Sequence, residues 1–162
     1  MNRKKFISSL LPLGVAATGL GQLKAAHTNS PGPKTDTAVH IPPYLNPGDT
    51  IGILCPAGNI TREEIQPAVN KMMEWGYRVK IGDTVGKKDF TFGGTDDERL
   101  ADLQQMLDDK QIKAIMPARG GYGLIRIIDR LNFDKFVQQP KWVIRFSDLT
   151  VLLSHIHRHF NI

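Results

Sequence analysis

Trp142-Val143-Ile144-Arg145-Phe146-Ser147-Asp148-Leu149-Thr150 passes from an apolar, strand-like run through a turn into a helical pattern. A strand-turn-helix junction of this kind exposes a serine hydroxyl at the carboxyl edge of a parallel sheet. The new helix also aims unpaired N–H groups beside that hydroxyl. Upstream, a second apolar run, Ile115-Met116-Pro117-Ala118, enters Arg119-Gly120-Gly121-Tyr122-Gly123. A serine elbow and a glycine-rich turn together suggest a nucleophile next to an oxyanion hole. By residue type alone, Ser147-Asp148 suits helix capping better than catalysis, and the glycines equally suit a tight strand-helix connection. The turn is not a dinucleotide fingerprint, because it lacks the G-x-G-x-x-G spacing.

The same alternation continues outward. Residues 50–55 read as a buried strand, and Thr61-Arg62-Glu63-Glu64 has capping-box spacing for a helix whose apolar face includes Ile65, Val69, Met72 and Met73. Pro67 suggests that the regular part of this helix begins only there. Gly76 ends it, and residues 77–81 form a second strand. After a polar loop over 83–91, Thr95-Asp96-Asp97-Glu98 is a second capping box, followed by Leu100, Leu103, Met106 and Leu107 at helical spacing. Residues 112–116 are a third strand, 124–131 a short helix and 142–146 a fourth strand. Leu149, Leu152, Leu153, Ile156 and Phe160 line one face of a last helix, which Asp148 is expected to cap. Repeated strand-helix units of this length predict an α/β fold, a parallel sheet with helices on both faces.

Lys and Arg number 21 against 16 Asp and Glu, a net charge of +5. Arg3, Lys4, Lys5 and Lys24 supply most of that excess; without residues 1–24, 17 basic side chains face the same 16 acidic ones. The basicity belongs to the leader, and no aromatic-interleaved basic stripe remains, which argues against nucleic acid as a partner. Residues 1–25 read as a signal peptide, with a charged Arg3-Lys4-Lys5, an apolar run and a processing site at Leu23-Lys24-Ala25. A soluble amphipathic helix is the competing reading, but the segment has no polar face. The mature chain is expected to lack a stable membrane span and to be exported, periplasmic or extracellular. Residues 26–40 read as a flexible linker and 41–162 as the folded domain. Cys55 is the sole cysteine, so no internal disulfide forms; a buried apolar thiol suits it better than a nucleophile. His155, His157 and His159 read as a solvated helix face rather than a metal site.

Four ordered motifs carry a resemblance: Asn46-Pro47-Gly48-Asp49-Thr50-Ile51-Gly52-Ile53, Phe92 through Leu103, Arg119 through Gly123, and Pro140-Lys141 followed by Phe146 through Thr150. In this register the chain resembles the LD-carboxypeptidases, which include the microcin C immunity peptidases. The resemblance implies a flavodoxin-like, nucleophile-bearing N-terminal domain that stops before the family's C-terminal domain. It implies a serine carboxypeptidase that cleaves an L,D peptide bond in murein tetrapeptide and releases D-alanine, with no cofactor and no metal. Ser147 would be the nucleophile, with the backbone N–H groups of Asp148 and Gly121 as the oxyanion hole. Gly120, Tyr122 and Arg119 would contact substrate; by residue type the Arg119 fork suits a peptide carboxylate, though a surface or inter-helix salt bridge suits it better on general grounds.

The resemblance also carries expectations of what lies elsewhere. Family members activate the serine with a histidine that a glutamate orients, both from the later domain. The glutamates here, Glu63, Glu64, Glu74 and Glu98, all precede Ser147. The chain as given is therefore expected to be inactive, as a fragment or a truncated product needing the missing C-terminal domain as partner. Arg145 stands where relatives usually carry glycine, which predicts obstruction of the elbow, and Leu153 stands where many carry histidine. Besides the murein peptidase, a microcin-type immunity peptidase and a non-catalytic cell-wall-binding remnant are carried as alternatives, and a homodimer is left open.

Overall fold

The computed structural model describes residues 38–144 and 146–162; the leader, most of the linker and Arg145 lie outside the described residues. Its first strand, β1 (Thr50–Leu54), shows how the sheet is buried on both faces. Successive side chains of a strand point to opposite sides. On one side α1 (Arg62–Glu74) lays Ile65, Val69 and Met72 against Ile51, Ile53 and Ala114. On the other, α2 (Asp96–Asp108) brings Leu103, Met106 and Leu107 into a larger cluster with Leu54, Ile112 and Ile115. The last helix, α4 (Thr150–Phe160), adds Leu152 and Ile156 to that cluster.

β2 (Arg78–Ile81), β3 (Ile112–Pro117) and β4 (Trp142–Val143) complete a four-stranded sheet in the order β2-β1-β3-β4. Every neighbouring pair is parallel. This is the order of the first four strands of a flavodoxin-like sheet, so the α/β class read from the sequence holds. Both capping boxes form: Thr61 with Glu64 and Thr95 with Glu98 exchange side-chain-to-backbone bonds at the two helix starts.

Four local expectations need correction. Pro67 lies inside α1, which is regular from Arg62 onward. The proline forfeits a single bond, to the carbonyl of Glu63 in the exposed first turn, and its fixed φ already suits a helix. The fourth strand pairs with β3 only at Trp142 and Val143, with one more bond from the Ile144 N–H to the Ile115 carbonyl at 2.9 Å. Beyond it the chain turns away to build the elbow. Residues 124–131 make two 3₁₀ turns, Leu124–Arg126 and Ile128–Arg130, in place of one helix. Neither turn has a side-chain cap, and a run this short does not offset the cost of helix nucleation. A five-residue helix, α3 (Asp134–Gln138), precedes β4. Finally, Asp148 does not cap α4, as described below.

The outer edge of β4 has company. The Trp142 indole donates to the Pro43 carbonyl at 2.8 Å, and Tyr44 stacks on the same ring. His40 N–H donates to the Asn161 carbonyl at 2.8 Å, and the Asn161 amide returns a bond to Ala38 at 3.1 Å. Residues 38–44 thus pack beside the edge strand that the sheet would otherwise present to solvent.

Candidate active site

In an open parallel sheet, ligands bind outside the carboxyl ends of strands where the order reverses, here between β1 and β3. The loop after β1 and the turn after β3 meet there directly. Gly58 N–H donates to the Gly120 carbonyl at 2.9 Å. Gly121 follows with φ +119°, a conformation that disfavours any side chain. The turn after β4 arrives from the other flank. A Cβ on Gly120 would stand 2.9 Å from the Ser147 Cβ and 3.2 Å from the Phe146 ring. The structure therefore brings the glycine turn and the serine elbow into contact, although they are far apart in sequence.

Ser147 itself is exposed and has φ +56°. For a residue with a Cβ, that left-handed conformation costs on the order of 1–2 kcal/mol. The strain is what a sharp strand-to-helix elbow demands, because the chain must reverse from β4 into the 3₁₀ turn Ser147–Leu149 and then α4. Its carbonyl accepts the Thr150 hydroxyl at 2.7 Å, which ties the elbow to the first turn of that helix.

The Asp148 carboxylate reaches sideways. It accepts the Leu124 N–H at 3.0 Å, closing the far end of the glycine turn, and α4 begins without a side-chain cap. Capping fails because the Ser147–Leu149 turn separates Asp148 from the α4 start and points its carboxylate at the neighbouring loop. The bond instead couples the two segments expected to donate the two oxyanion N–H groups.

The remaining expected site residues surround this junction. Arg119 is exposed, with one guanidinium N–H donating to the Asn59 carbonyl at 3.1 Å. Tyr122 is exposed with its ring 6.3 Å from that of Phe92. The histidines sit along α4: the rings of His155 and His159 are 4.4 Å apart, His155 stacks on Phe133, and His157 is exposed. Among the described residues, no histidine or carboxylate hydrogen-bonds the Ser147 hydroxyl. Cys55 is buried at the end of β1, and burial pushes its thiol up to about 11, so it stays protonated and unreactive at neutral pH.

Sequence reasoning missed the polar residues beneath the site. Arg99 and Asp102 are buried on α2, and Asp102 accepts the Thr84 N–H at 2.9 Å while Thr84 accepts the Cys55 N–H at 2.8 Å. One Asp102 oxygen has no partner among the described residues. On a helix with a capping box these charges read as solvent-facing. The only signal was their place inside the Phe92–Leu103 motif.

A family model described as the LD-carboxypeptidase N-terminal domain matches residues 51–162. A probable murein peptide carboxypeptidase of Bacillus subtilis is 36% identical over 118 residues, covering 73% of this chain and 37% of the relative. The murein tetrapeptide carboxypeptidase of Pseudomonas aeruginosa is 30% identical over 110 residues, covering 67% of this chain and 36% of its own length. Among solved structures, microcin C7 self-immunity protein MccF in complex with aspartyl sulfamoyl adenosine superposes with a TM-score of 0.72 at 27% identity. That likeness covers 76% of this chain and 38% of the other. The chain thus spans a little over a third of the length of the curated relatives named above.

Proposed function

The chain belongs to the LD-carboxypeptidase family, and on that premise we propose that residues 41–162 form the nucleophile-bearing domain of an exported serine-type peptidase. Its substrate is the L,D peptide bond of a murein tetrapeptide, and its product is D-alanine. The observation that carries the reading is the strained, exposed Ser147 packed against Gly120. The Ser147 hydroxyl oxygen attacks the carbonyl carbon while a general base takes its proton. The carbonyl oxygen, now negative, is held by the N–H groups of Gly121 and Asp148. The amine of D-alanine leaves with a proton returned by the base, and water then hydrolyses the acyl-serine. Arg119 pairs with the terminal carboxylate of the substrate, and Tyr122 lines the same face.

The base comes from outside the described residues: by the family resemblance, a histidine oriented by a glutamate in the second domain. Residues 1–162 alone are accordingly expected to release no D-alanine, since a serine without its base is a poor nucleophile. Extended through that second domain, the protein is expected to release D-alanine from murein tetrapeptide, and Ser147→Ala to cut the rate by several powers of ten. Undiminished release by Ser147→Ala would overturn the reading.

The likeness to MccF favours a second reading, an immunity peptidase acting on a microcin-type aminoacyl conjugate. The leader argues for murein, because an exported enzyme meets cell-wall peptides. Turnover of an aminoacyl sulfamoyl adenosine, with none of murein tetrapeptide, would select the second.

A further inference from the structure

Beneath the glycine turn, one fully buried side chain joins loops from both sides of the sheet's switch point. Arg99 donates from Nη1 to the Pro56 carbonyl at 2.6 Å and to the Gly123 carbonyl at 3.1 Å. Its Nε donates to the Gly94 carbonyl at 3.3 Å, and its Nη2 pairs with Asp96. The guanidinium lies over the Phe92 ring, 4.8 Å from its centroid. Pro56 follows β1, and Gly123 belongs to the turn after β3. Only a guanidinium spans them, because its planar fork keeps five donors in fixed directions and its charge at all relevant pH.

The turn has two further fastenings. Gly58 N–H holds the Gly120 carbonyl at one end, and the Asp148 carboxylate holds the Leu124 N–H at the other. Arg99 supplies the middle one and fills the space below it, where a Cβ on Gly123 would come within 2.8 Å of Phe92 and 3.1 Å of the Arg99 nitrogen. In the chain, Gly121 falls between the fastened residues Gly120, Gly123 and Leu124. An oxyanion donor works only if it is fixed before the charge develops, and a shift of a fraction of an ångström weakens it.

We infer that Arg99 is a positioning residue for acyl transfer at Ser147: it fixes the height of the glycine turn, and with it the Gly121 N–H, relative to the nucleophile. The inference rests on the assignment of Ser147 and Gly121 proposed above. Arg126 is the natural comparison, since its side chain also pairs with Asp96 (2.8 Å) and lies over Phe92, while it meets the turn through backbone alone, its N–H donating to the Gly123 carbonyl at 3.1 Å.

The test uses the protein extended through its second domain, as wild type, Arg99→Lys, Arg99→Gln and Arg126→Gln, with murein tetrapeptide as substrate. Lysine keeps the charge beside Asp96 but cannot hold both carbonyls. Arg99→Lys is expected to lower kcat on the order of 10²-fold, the scale of a lost oxyanion donor, with KM changed less than about threefold. Amide hydrogen exchange at Gly121 and Leu124 is expected to quicken by about tenfold or more, with Met106 unchanged. Arg126→Gln should match wild type in both. Wild-type kcat and exchange in Arg99→Lys would overturn the inference, as would a rise in KM at constant kcat. Failure of both Arg99 variants to fold while Arg126→Gln folds would assign Arg99 to fold maintenance alone and also overturn it. If the wild type shows no Ser147-dependent turnover, the functional reading has failed separately, and the exchange data still decide whether Arg99 holds the turn.

Discussion

α1 and α2 begin with the same Thr-x-x-Glu box and run for the same 13 residues, yet they do different things below their apolar stripes. Counted from the first helical residue, Val69 matches Leu103 and Met72 matches Met106, and all four are buried. The fourth residue is Ile65 in α1 but Arg99 in α2, and the seventh is Ala68 against Asp102. α1 therefore packs its side of the sheet with hydrocarbon alone. α2 packs with hydrocarbon and also sends a buried cation and a buried carboxylate towards the loops at the carboxyl edge. The lesson is that the apolar period fixes where a helix lies, while its buried polar residues decide what else it holds.

The ends of the two helices differ in the same sense. α1 closes with backbone alone: Gly76 at φ +87° donates to the Met73 carbonyl at 2.9 Å and Tyr77 N–H to Met72 at 3.0 Å. α2 ends under the ammonium of buried Lys141, which donates to the carbonyls of Met106 at 3.1 Å and Asp109 at 2.7 Å. Burial pushes that lysine down to about 8.

The largest test of the contrast gives α2 the residue that α1 has at the same position. Arg99→Ile leaves Asp96 paired with Arg126 alone, removes the donor to the Pro56 carbonyl and leaves the Gly123 carbonyl with only the Arg126 N–H, and is expected to cost about 2–4 kcal/mol. Urea unfolding of the chain would show it as a lower midpoint at unchanged slope. A loss below about 1 kcal/mol would mean that the two helices are interchangeable after all.

The second test is of pH. Below pH 8, Lys141 is charged in both folded and unfolded chains. Between about 8 and the ordinary lysine value near 10.4, the unfolded chain binds more protons, so stability rises with pH. From pH 7 to 9 the contribution of Lys141 is expected to be a gain of about 1 kcal/mol, absent in Lys141→Met. An identical pH profile for the two proteins would show that this lysine is not set apart by its burial.

The smallest effect should be the same in both helices. Thr61→Ala and Thr95→Ala are each expected to cost about 0.5–1 kcal/mol, since the caps are exposed and alike. A cost at Thr95 several times that at Thr61 would place the special character of α2 in its start rather than in Arg99 and Asp102.

These helices also show what could be read in the sequence. Their starts, places beside the strands and apolar faces were legible, because caps and periodicity are local physics; the exception is Met73, expected on the apolar face of α1 but exposed. The buried state of Arg99 was not, because a charge at that spacing normally faces water and only the arrival of three loop segments gives it partners. The site divides similarly. The elbow and the glycine turn were legible from residue type and order, and their contact needed the fold. The Asp148 carboxylate was misread as a cap because its partner, the Leu124 N–H, lies 24 residues away in the chain. The helix expected over 124–131 failed where an uncapped short run yields to tighter turns.

Ser147 is the proposed nucleophile of this domain. The most direct measurement is mass mapping of the covalent adduct formed when the protein, extended through its second domain, meets a serine-directed phosphonate. One adduct is the expected outcome, on Ser147, absent from Ser147→Ala and blocked by murein tetrapeptide. An adduct on another residue, or equal labelling of Ser147→Ala, would contradict it.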